Sequence, residues 1–243
     1  MYTSYLYATI LCLLLSCQTK KKEVKNESQK FSSENPVKRS VIDNVLISEE
    51  LPKIEIKVNE EFNYIGKFDF EITANSEEYS EEMRGKPVAA GDRFVFASSD
   101  ENNSIEKLFI VQLEGFLPSN DLVYNYNMSQ AELIGKNKYR HNTWFYDSAK
   151  AAQENPKNEG AKTRAFLTEK GFKLQDHYMM SRFVGLASED RKYEIIIYYH
   201  EMLNKATGYT LDEYENSISK DETKSIRDSF IERSRESFTI IKG

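Results

Sequence analysis

The sequence predicts an α+β fold in which a mostly antiparallel sheet carries helices on one face, after a disordered tether. Apolar and polar residues alternate in many short segments between residues 54 and 199, as they do in half-buried strands. Helix-capping signals are concentrated in the second half of the chain, so most strands precede most helices. Residues 18–53 are rich in Lys, Glu, Ser and Asn, a composition that buries too little apolar surface to fold.

Eight segments have the apolar pattern of β-strands. Residues 54–58 and 68–72 alternate strictly, which predicts two early strands with one buried face each. The run from Ile195 to Tyr199 is continuously apolar, which predicts a central strand with both faces covered. The other candidates are residues 93–97, 108–113, 122–126, 139–146, 180–186 and the segment 193–199 that contains this run.

Helices are predicted where a capping residue precedes an amphipathic stretch. The first of them ends near Lys170, because Gly171 is suited to the left-handed conformation that stops a helix. Residues 238–241 alternate again and predict a short closing strand. The capping residues are Asn158 for the first helix, Thr210 with Glu213 for the second, and Ser219 with Glu222 for the third.

Charge is distributed unevenly along the chain. Residues 18–40 contain seven Lys or Arg and three Glu, a net of +4. Residues 1–17 carry no charged side chain, so the net charge of -6 leaves -10 for the rest of the chain. A nucleic-acid-binding domain needs a positive face to neutralise phosphates. We therefore expect no nucleic-acid partner for this acidic body.

Both cysteines, Cys12 and Cys17, lie at the start of the chain. The remainder has no disulfide, thiolate metal site or cysteine nucleophile. Residues 5–15 are apolar, too few for a membrane helix, which needs roughly 20 apolar residues. An apolar run of this length that ends at a small residue is typical of a secretory signal peptide. No Lys or Arg precedes the run, although such signals usually begin with positive charge.

The sequence Leu14-Leu15-Ser16-Cys17 resembles the lipobox of bacterial lipoproteins. The resemblance implies that the Cys17 thiol receives diacylglycerol and that a dedicated peptidase cuts after Ser16. We therefore divide the chain into a signal peptide (1–16), a lipidated cysteine with a flexible basic tether (17–53), and a single α+β domain (54–243).

The resemblance also bears on location. Gln18 stands where some bacteria place an Asp that retains lipoproteins in the inner membrane, which favours the outer membrane. Residues 20–22 are three lysines, the opposite of the acidic run that directs some lipoproteins to the cell surface. We therefore expect a protein held to the outer membrane through lipid on Cys17, on the periplasmic face.

Few catalytic patterns occur in the body. Residues 200–204 read His-Glu-Met-Leu-Asn, which lacks the second histidine of a zinc protease and is interpreted as the solvated end of a strand. No nucleophile elbow or phosphate loop is present in the sequence. Hydrolysis by a pair of carboxylates stays open as an alternative, and Glu106, Glu114 and Asp121 flank predicted strands. No metal or cofactor is expected.

An aromatic cluster supplies the candidate binding surface. Tyr124 and Tyr126 share a strand face, as do Trp144 and Tyr146, so each pair is expected to be buried or exposed together. Exposed rings could stack on a sugar or clasp a peptide, whereas buried rings would belong to the core.

The sequence thus favours a lipid-anchored binding or accessory module of the cell envelope without catalytic activity. Its partner would be an envelope protein or polymer. The alternative is an envelope hydrolase that uses a carboxylate pair or His200. A purely structural lipoprotein without a ligand cavity is a third possibility.

Overall fold

The computed structural model describes residues 38–243, which form eleven strands and five helices. The predicted signal peptide, Cys17 and most of the predicted tether lie outside the described residues. The strands are β1 (Arg39–Ile42), β2 (Val45–Ser48), β3 (Ile54–Val58), β4 (Asn63–Thr73), β5 (Pro87–Ser99), β6 (Ile105–Phe116), β7 (Glu132–Ile134), β8 (Asn137–Asp147), β9 (His177–Leu186), β10 (Tyr193–Met202) and β11 (Phe238–Lys242). The helices are α1 (Ser148–Glu154), α2 (Glu159–Glu169), α3 (Leu203–Thr207), α4 (Leu211–Asn216) and α5 (Lys220–Glu236).

The strands form two sheets whose named strand pairs are all antiparallel, which confirms the predicted type of sheet. The larger sheet has seven strands in the order β4-β5-β6-β10-β9-β8-β7, and the smaller has four in the order β1-β2-β3-β11. β10 lies at the centre of the larger sheet, as its continuous apolar run predicts. Within residues 38–243, none of the helices is both long and apolar enough to cross a membrane.

The inner face of the seven-stranded sheet forms the main core. Side chains alternate across a sheet, so Phe94, Phe109 and Ile197 point to the same side of adjacent strands. They pack against Ile56 of the four-stranded sheet and Phe230 of α5. Each such buried apolar side chain contributes roughly 1.5–3 kcal/mol through removal from water. This core joins the two sheets and α5.

The outer face of the same sheet carries a second, smaller core around Ile110. Leu167 of α2 packs there, and the Phe166 ring lies 5.2 Å from that of Phe68. α2 and α5 therefore lie on opposite faces of the sheet, and the expected covering of one face alone is not observed. The spacing of apolar residues identifies the apolar side of each helix. The path of the connecting loops decides which face of the sheet that side covers.

The folded body begins before Ile54. The predicted tether includes β1 and β2, a hairpin whose turn residues Asp43 and Asn44 have φ values of 48° and 58°. Two successive positive φ angles match the right-handed twist of paired strands, and Asn and Asp tolerate them well. Leu46 of this hairpin is fully buried in the main core. The overall polar composition of residues 18–53 gave no indication of this short hairpin.

The structure has strands at seven of the eight predicted segments, and the exception is 122–126. That segment is irregular because the Arg191 side chain, rather than a neighbouring strand, binds the carbonyl oxygens of Tyr124 and Tyr126 at 2.7 and 3.2 Å. The three predicted helix caps are confirmed. Their side-chain oxygens accept hydrogen bonds from the backbone NH groups of Ala161, Glu213 and Glu222.

Candidate functional site

A cavity of about 300 Å³ lies between the outer face of the seven-stranded sheet and the start of α2. Its floor is the sheet, its roof is the first turns of α2, and Trp144 and Tyr146 of β8 form one wall. The floor residues are Arg93 on β5, Leu108 and Ile110 on β6, Tyr198 and His200 on β10, and Tyr178, Met180 and Arg182 on β9.

The register of the sheet explains this floor. Tyr198 and His200 are two residues apart on β10, so both side chains point to the outer face. Tyr198 lies opposite Ile110 on one side and Arg182 on the other. His200 lies opposite Leu108 and Met180 in the same way. A polar side chain on the central strand is thus framed by apolar side chains from both neighbouring strands.

His200 is the most unusual group in the cavity. It is only 5% exposed, and neither ring nitrogen hydrogen-bonds to any atom within residues 38–243. Burial, aided by the nearby positive charge of Arg93, lowers the pKa of His200 to about 3. The ring is therefore neutral near pH 7, with one NH donor and one acceptor nitrogen. His200 belongs to β10 and is buried, so the interpretation of residues 200–204 as a solvated strand end is wrong.

The buried Arg93 side chain fixes α2 above the sheet. Its Nε donates to Gln112 Oε1 at 2.8 Å. Its Nη1 donates to the Glu159 carbonyl oxygen at 2.8 Å and to Thr163 Oγ1 at 2.7 Å. One guanidinium thus joins two strands to the first turns of α2. Because these bonds do not involve a ligand, the cavity is preformed.

Arg182 is less completely bonded than Arg93. Its Nε is buried and has no hydrogen-bond partner among the described residues. The guanidinium carbons of Arg182 and Arg93 lie 6.0 and 5.2 Å from the centre of the Tyr198 ring, within cation–π distance. Glu159 is the one carboxylate among the lining residues. With His200 neutral, the lining therefore carries a net charge of about +1.

The four predicted aromatic residues lie in two places. Trp144 and Tyr146 line the cavity, and Trp144 keeps 37% of its surface exposed. Tyr124 and Tyr126 lie farther along the outer face, with ring centres 6.0 Å apart and planes nearly parallel. Tyr124 is buried, and its hydroxyl donates to Glu114 Oε1 at 3.0 Å. The structure therefore brings one aromatic pair, rather than both, to the cavity.

No protein-family model, curated protein or solved structure matches this chain. The function is therefore inferred from the chemistry of the site alone.

A buried carboxyl pair lies on the outer face beside Tyr124. Glu114 on β6 and Glu194 on β10 are direct cross-strand partners, and both side chains are buried. Burial, followed by the hydrogen bond to Glu114 and its charge, raises the pKa of Glu194 to about 9. Glu114 accepts hydrogen bonds from Gln112 Nε2 and Tyr124, and Glu194 holds a proton near pH 7.

Of the acidic residues singled out in the sequence, only Glu114 belongs to this pair. Glu106 forms a salt bridge with Lys205, and Asp121 is exposed. Glu194 was missed because its partner is 80 positions away in the chain. Neither member of the pair lines the cavity. A pair so deeply buried meets no substrate in this conformation.

Three side chains on the inner face have the connectivity of a hydrolytic triad. His141 Nε2 lies 2.6 Å from Ser181 Oγ, and His141 Nδ1 lies 3.2 Å from Glu132 Oε1. Ser181 is fully buried, however, and its hydroxyl donates to Ser234 Oγ at 3.1 Å. The proton that a nucleophile must give to histidine points away from His141. The arrangement therefore ties β8 and β9 to α5.

Metal chemistry has little support in the part of the chain that the structure describes. Within residues 38–243, no three His, Cys, Asp or Glu side chains lie close enough together to hold an ion.

Proposed function

We propose that the protein is a lipid-anchored binding module of the bacterial envelope, and that the cavity beneath α2 is its ligand site. The observation that carries the proposal is His200, a buried imidazole that lines that cavity and whose two nitrogens have no hydrogen-bond partner among residues 38–243. Buried polar groups in native proteins nearly always have partners, and leaving one unpaired costs about 1–3 kcal/mol. A ligand that bonds to the ring NH of His200 would remove part of this cost.

The size and lining of the cavity favour a small molecule. A volume of about 300 Å³ is at the lower end of the usual range for ligand pockets. Such pockets are lined mainly by apolar and aromatic groups with a few polar ones that fix orientation. Here Leu108, Ile110 and Met180 provide the apolar floor, while His200 and Arg182 provide polar groups. An envelope polymer would have to insert an end or a side group.

The anchor in this proposal rests on the lipobox-like sequence that ends at Cys17. Acyl chains on one cysteine would hold the protein to the membrane, because each buried methylene contributes about 0.8 kcal/mol. The positive charges of residues 18–40 would add attraction to anionic head groups. We place the anchored protein on the periplasmic face of the outer membrane.

A hydrolase is the weaker alternative. His200 faces a cavity, but its low pKa leaves it a poor base near pH 7, because a general base works best with a pKa close to the working pH. The carboxyl pair of Glu114 and Glu194 is buried and lies outside the lining of that cavity. Binding therefore accounts for the site with fewer rearrangements.

Replacing His200 by phenylalanine tests the binding proposal. His200→Phe keeps the ring stacked on Tyr178, 4.7 Å away, but removes both unbonded nitrogens. We expect the free energy of unfolding to rise by about 1 kcal/mol, since an unpaired buried polar group is lost. We also expect ligand binding to be lost. Trp144 is the single tryptophan of the chain, so its fluorescence reports on cavity occupancy directly.

The measurement is a titration of the purified full chain with fractionated solvent extracts of bacterial envelopes, followed through Trp144 emission. His177→Phe is the matched control, because His177 lies on β9 outside the cavity lining. The control should respond to the same fractions as the unaltered protein. A His200→Phe protein that is destabilised and still binds would contradict the proposal.

Replacing Cys17 by serine tests the anchor. Cys17→Ser should release the protein from detergent-extractable membranes into the soluble fraction, and the acylated N-terminal peptide should vanish from mass spectra. Cys12→Ser is the control, since Cys12 lies in the segment expected to be removed. Recovery of the unaltered protein with an intact Met1 and a free Cys17 thiol would overturn the anchor.

A further inference from the structure

The charged groups around the cavity indicate what kind of molecule it accepts. We propose that the ligand is a monoanion, a carboxylate on a compact apolar body, whose charged group lies against Arg182 and His200. This inference rests on the proposed function, because it specifies the ligand of the same cavity.

The first support is the absence of an internal counter-ion for the arginines of the cavity. Neither Arg93 nor Arg182 takes part in a salt bridge among residues 38–243. The arginines that do form salt bridges there are Arg39, Arg164, Arg233 and Arg235. Guanidinium groups bind carboxylates through strong charge-assisted hydrogen bonds, so an unpaired one at a cavity favours an anionic ligand.

The two arginines have different tasks. Arg93 is occupied by its bonds to Gln112 and α2, so it contributes positive potential rather than a free donor. Among residues 38–243, the Arg182 side chain hydrogen-bonds to Tyr126, whereas its buried Nε has no partner. Its neighbour Glu194 holds a proton and does not neutralise it. Arg182 lines the cavity and forms no salt bridge among the described residues, so it is the residue placed to bind an anion.

The remaining groups limit the ligand to one negative charge. The start of α2 lies at the cavity, and the positive end of a helix dipole favours an anion. The Glu159 carboxylate lies at the same place and opposes a second negative charge. Neutral His200 adds one NH donor for a carboxylate oxygen. The rest of the lining, including Leu108, Ile110 and Trp144, is apolar or aromatic and suits an apolar body.

Three probes of nearly equal shape but different charge test whether the charge of the ligand decides binding. They are cyclohexylacetate, its uncharged amide, and cyclohexylethylamine, none of which absorbs where tryptophan is excited. Each is titrated into the full chain while Trp144 emission is recorded, with calorimetry as a second readout. We expect the carboxylate to bind about tenfold or more tightly than the amide, and the amine not to bind.

Variants assign the preference to Arg182. Arg182→Gln should reduce carboxylate affinity about tenfold while leaving the amide unchanged. Arg227→Gln removes the same charge from an exposed position on α5, across the sheet from the cavity, and should leave both affinities unaltered. Circular dichroism and the unfolding midpoint establish that each variant is folded.

The outcomes distinguish the two proposals. Equal binding of carboxylate and amide would overturn the monoanion while supporting a ligand-binding cavity. Preference for the amine would also overturn it and would point to Glu159 as the recognition group. If none of the probes binds, and the envelope extracts also leave Trp144 emission unchanged, both the ligand class and the binding function fail.

Discussion

Arg93→Met is expected to lower the free energy of unfolding by about 3 kcal/mol or more and to loosen α2 from the sheet. Arg93 is 4% exposed and donates to Gln112, to the Glu159 carbonyl and to Thr163. Methionine has a similar length but no donor, so Gln112 Oε1 and Thr163 Oγ1 would lose a donor, while the Glu159 carbonyl would keep its bond from Thr163. Each buried acceptor that is left without a donor costs about 1–3 kcal/mol.

Urea denaturation gives the change in stability, and hydrogen exchange of the α2 amides gives the local effect. The α2 amides should exchange faster in Arg93→Met than the global change in stability explains. Arg227→Met, at an exposed site on α5, should change stability by no more than about 0.5 kcal/mol. A loss below about 1 kcal/mol, with α2 still protected, would show that other contacts hold the roof of the cavity.

Glu194→Gln is expected to remove most of the dependence of stability on pH between about 5 and 9. The carboxyl has a pKa near 4.5 when unfolded and about 9 in the fold, so the folded state holds this proton more tightly. Its stabilising contribution is complete below pH 4.5 and is lost progressively as the pH rises towards 9. The slope reaches at most about 1.4 kcal/mol per pH unit.

Glutamine resembles the protonated acid and does not titrate. The variant should therefore be more stable than the unaltered protein at pH 8, by an amount on the order of 3 kcal/mol, and similar to it at pH 5. Urea unfolding at pH 5, 7 and 8 measures the difference in stability between the variant and the unaltered protein at each pH. The groups that face Glu194 are Glu114, Tyr124, Tyr126 and Arg182, and all are retained.

Glu189→Gln is the matched control for this experiment. Glu189 is exposed, in the turn just before β10, and its replacement should leave the pH profile unchanged. Parallel profiles for Glu194→Gln and the unaltered protein would mean that Glu194 is ionised throughout, so that the pair with Glu114 is not sharing a proton.

Local signals predicted the elements well because the interactions behind them are short in sequence. A cap joins residues three positions apart, as Thr210 and Glu213 do, so its pattern is complete within one turn. Short apolar patterns identified seven strands for the same reason. Residues 122–126 are also rich in apolar and aromatic residues, but a strand needs a partner, and Arg191 from a distant turn binds that backbone instead.

The candidate site was only partly foreseeable. Trp144 and Tyr146 were selected from their aromatic clustering, and both line the cavity. His200 was assigned to a solvated strand end, although extending the alternation of β10 through Met202 would have placed it beside Tyr198 on one face. Arg93 and Arg182 gave no signal of their own, because a charged residue within a strand is normally expected to face solvent.

By itself, the amino-acid sequence determined the type of sheet, the starts of three of the five described helices, the central position of β10 and the acidic charge of the body. These follow from local periodicity, capping and composition. Only the tertiary structure decided that α2 covers the outer face, that Glu114 meets Glu194, and that His200 faces a cavity. The reason is that strand register and loop path join residues tens of positions apart, and no local pattern encodes which of them meet.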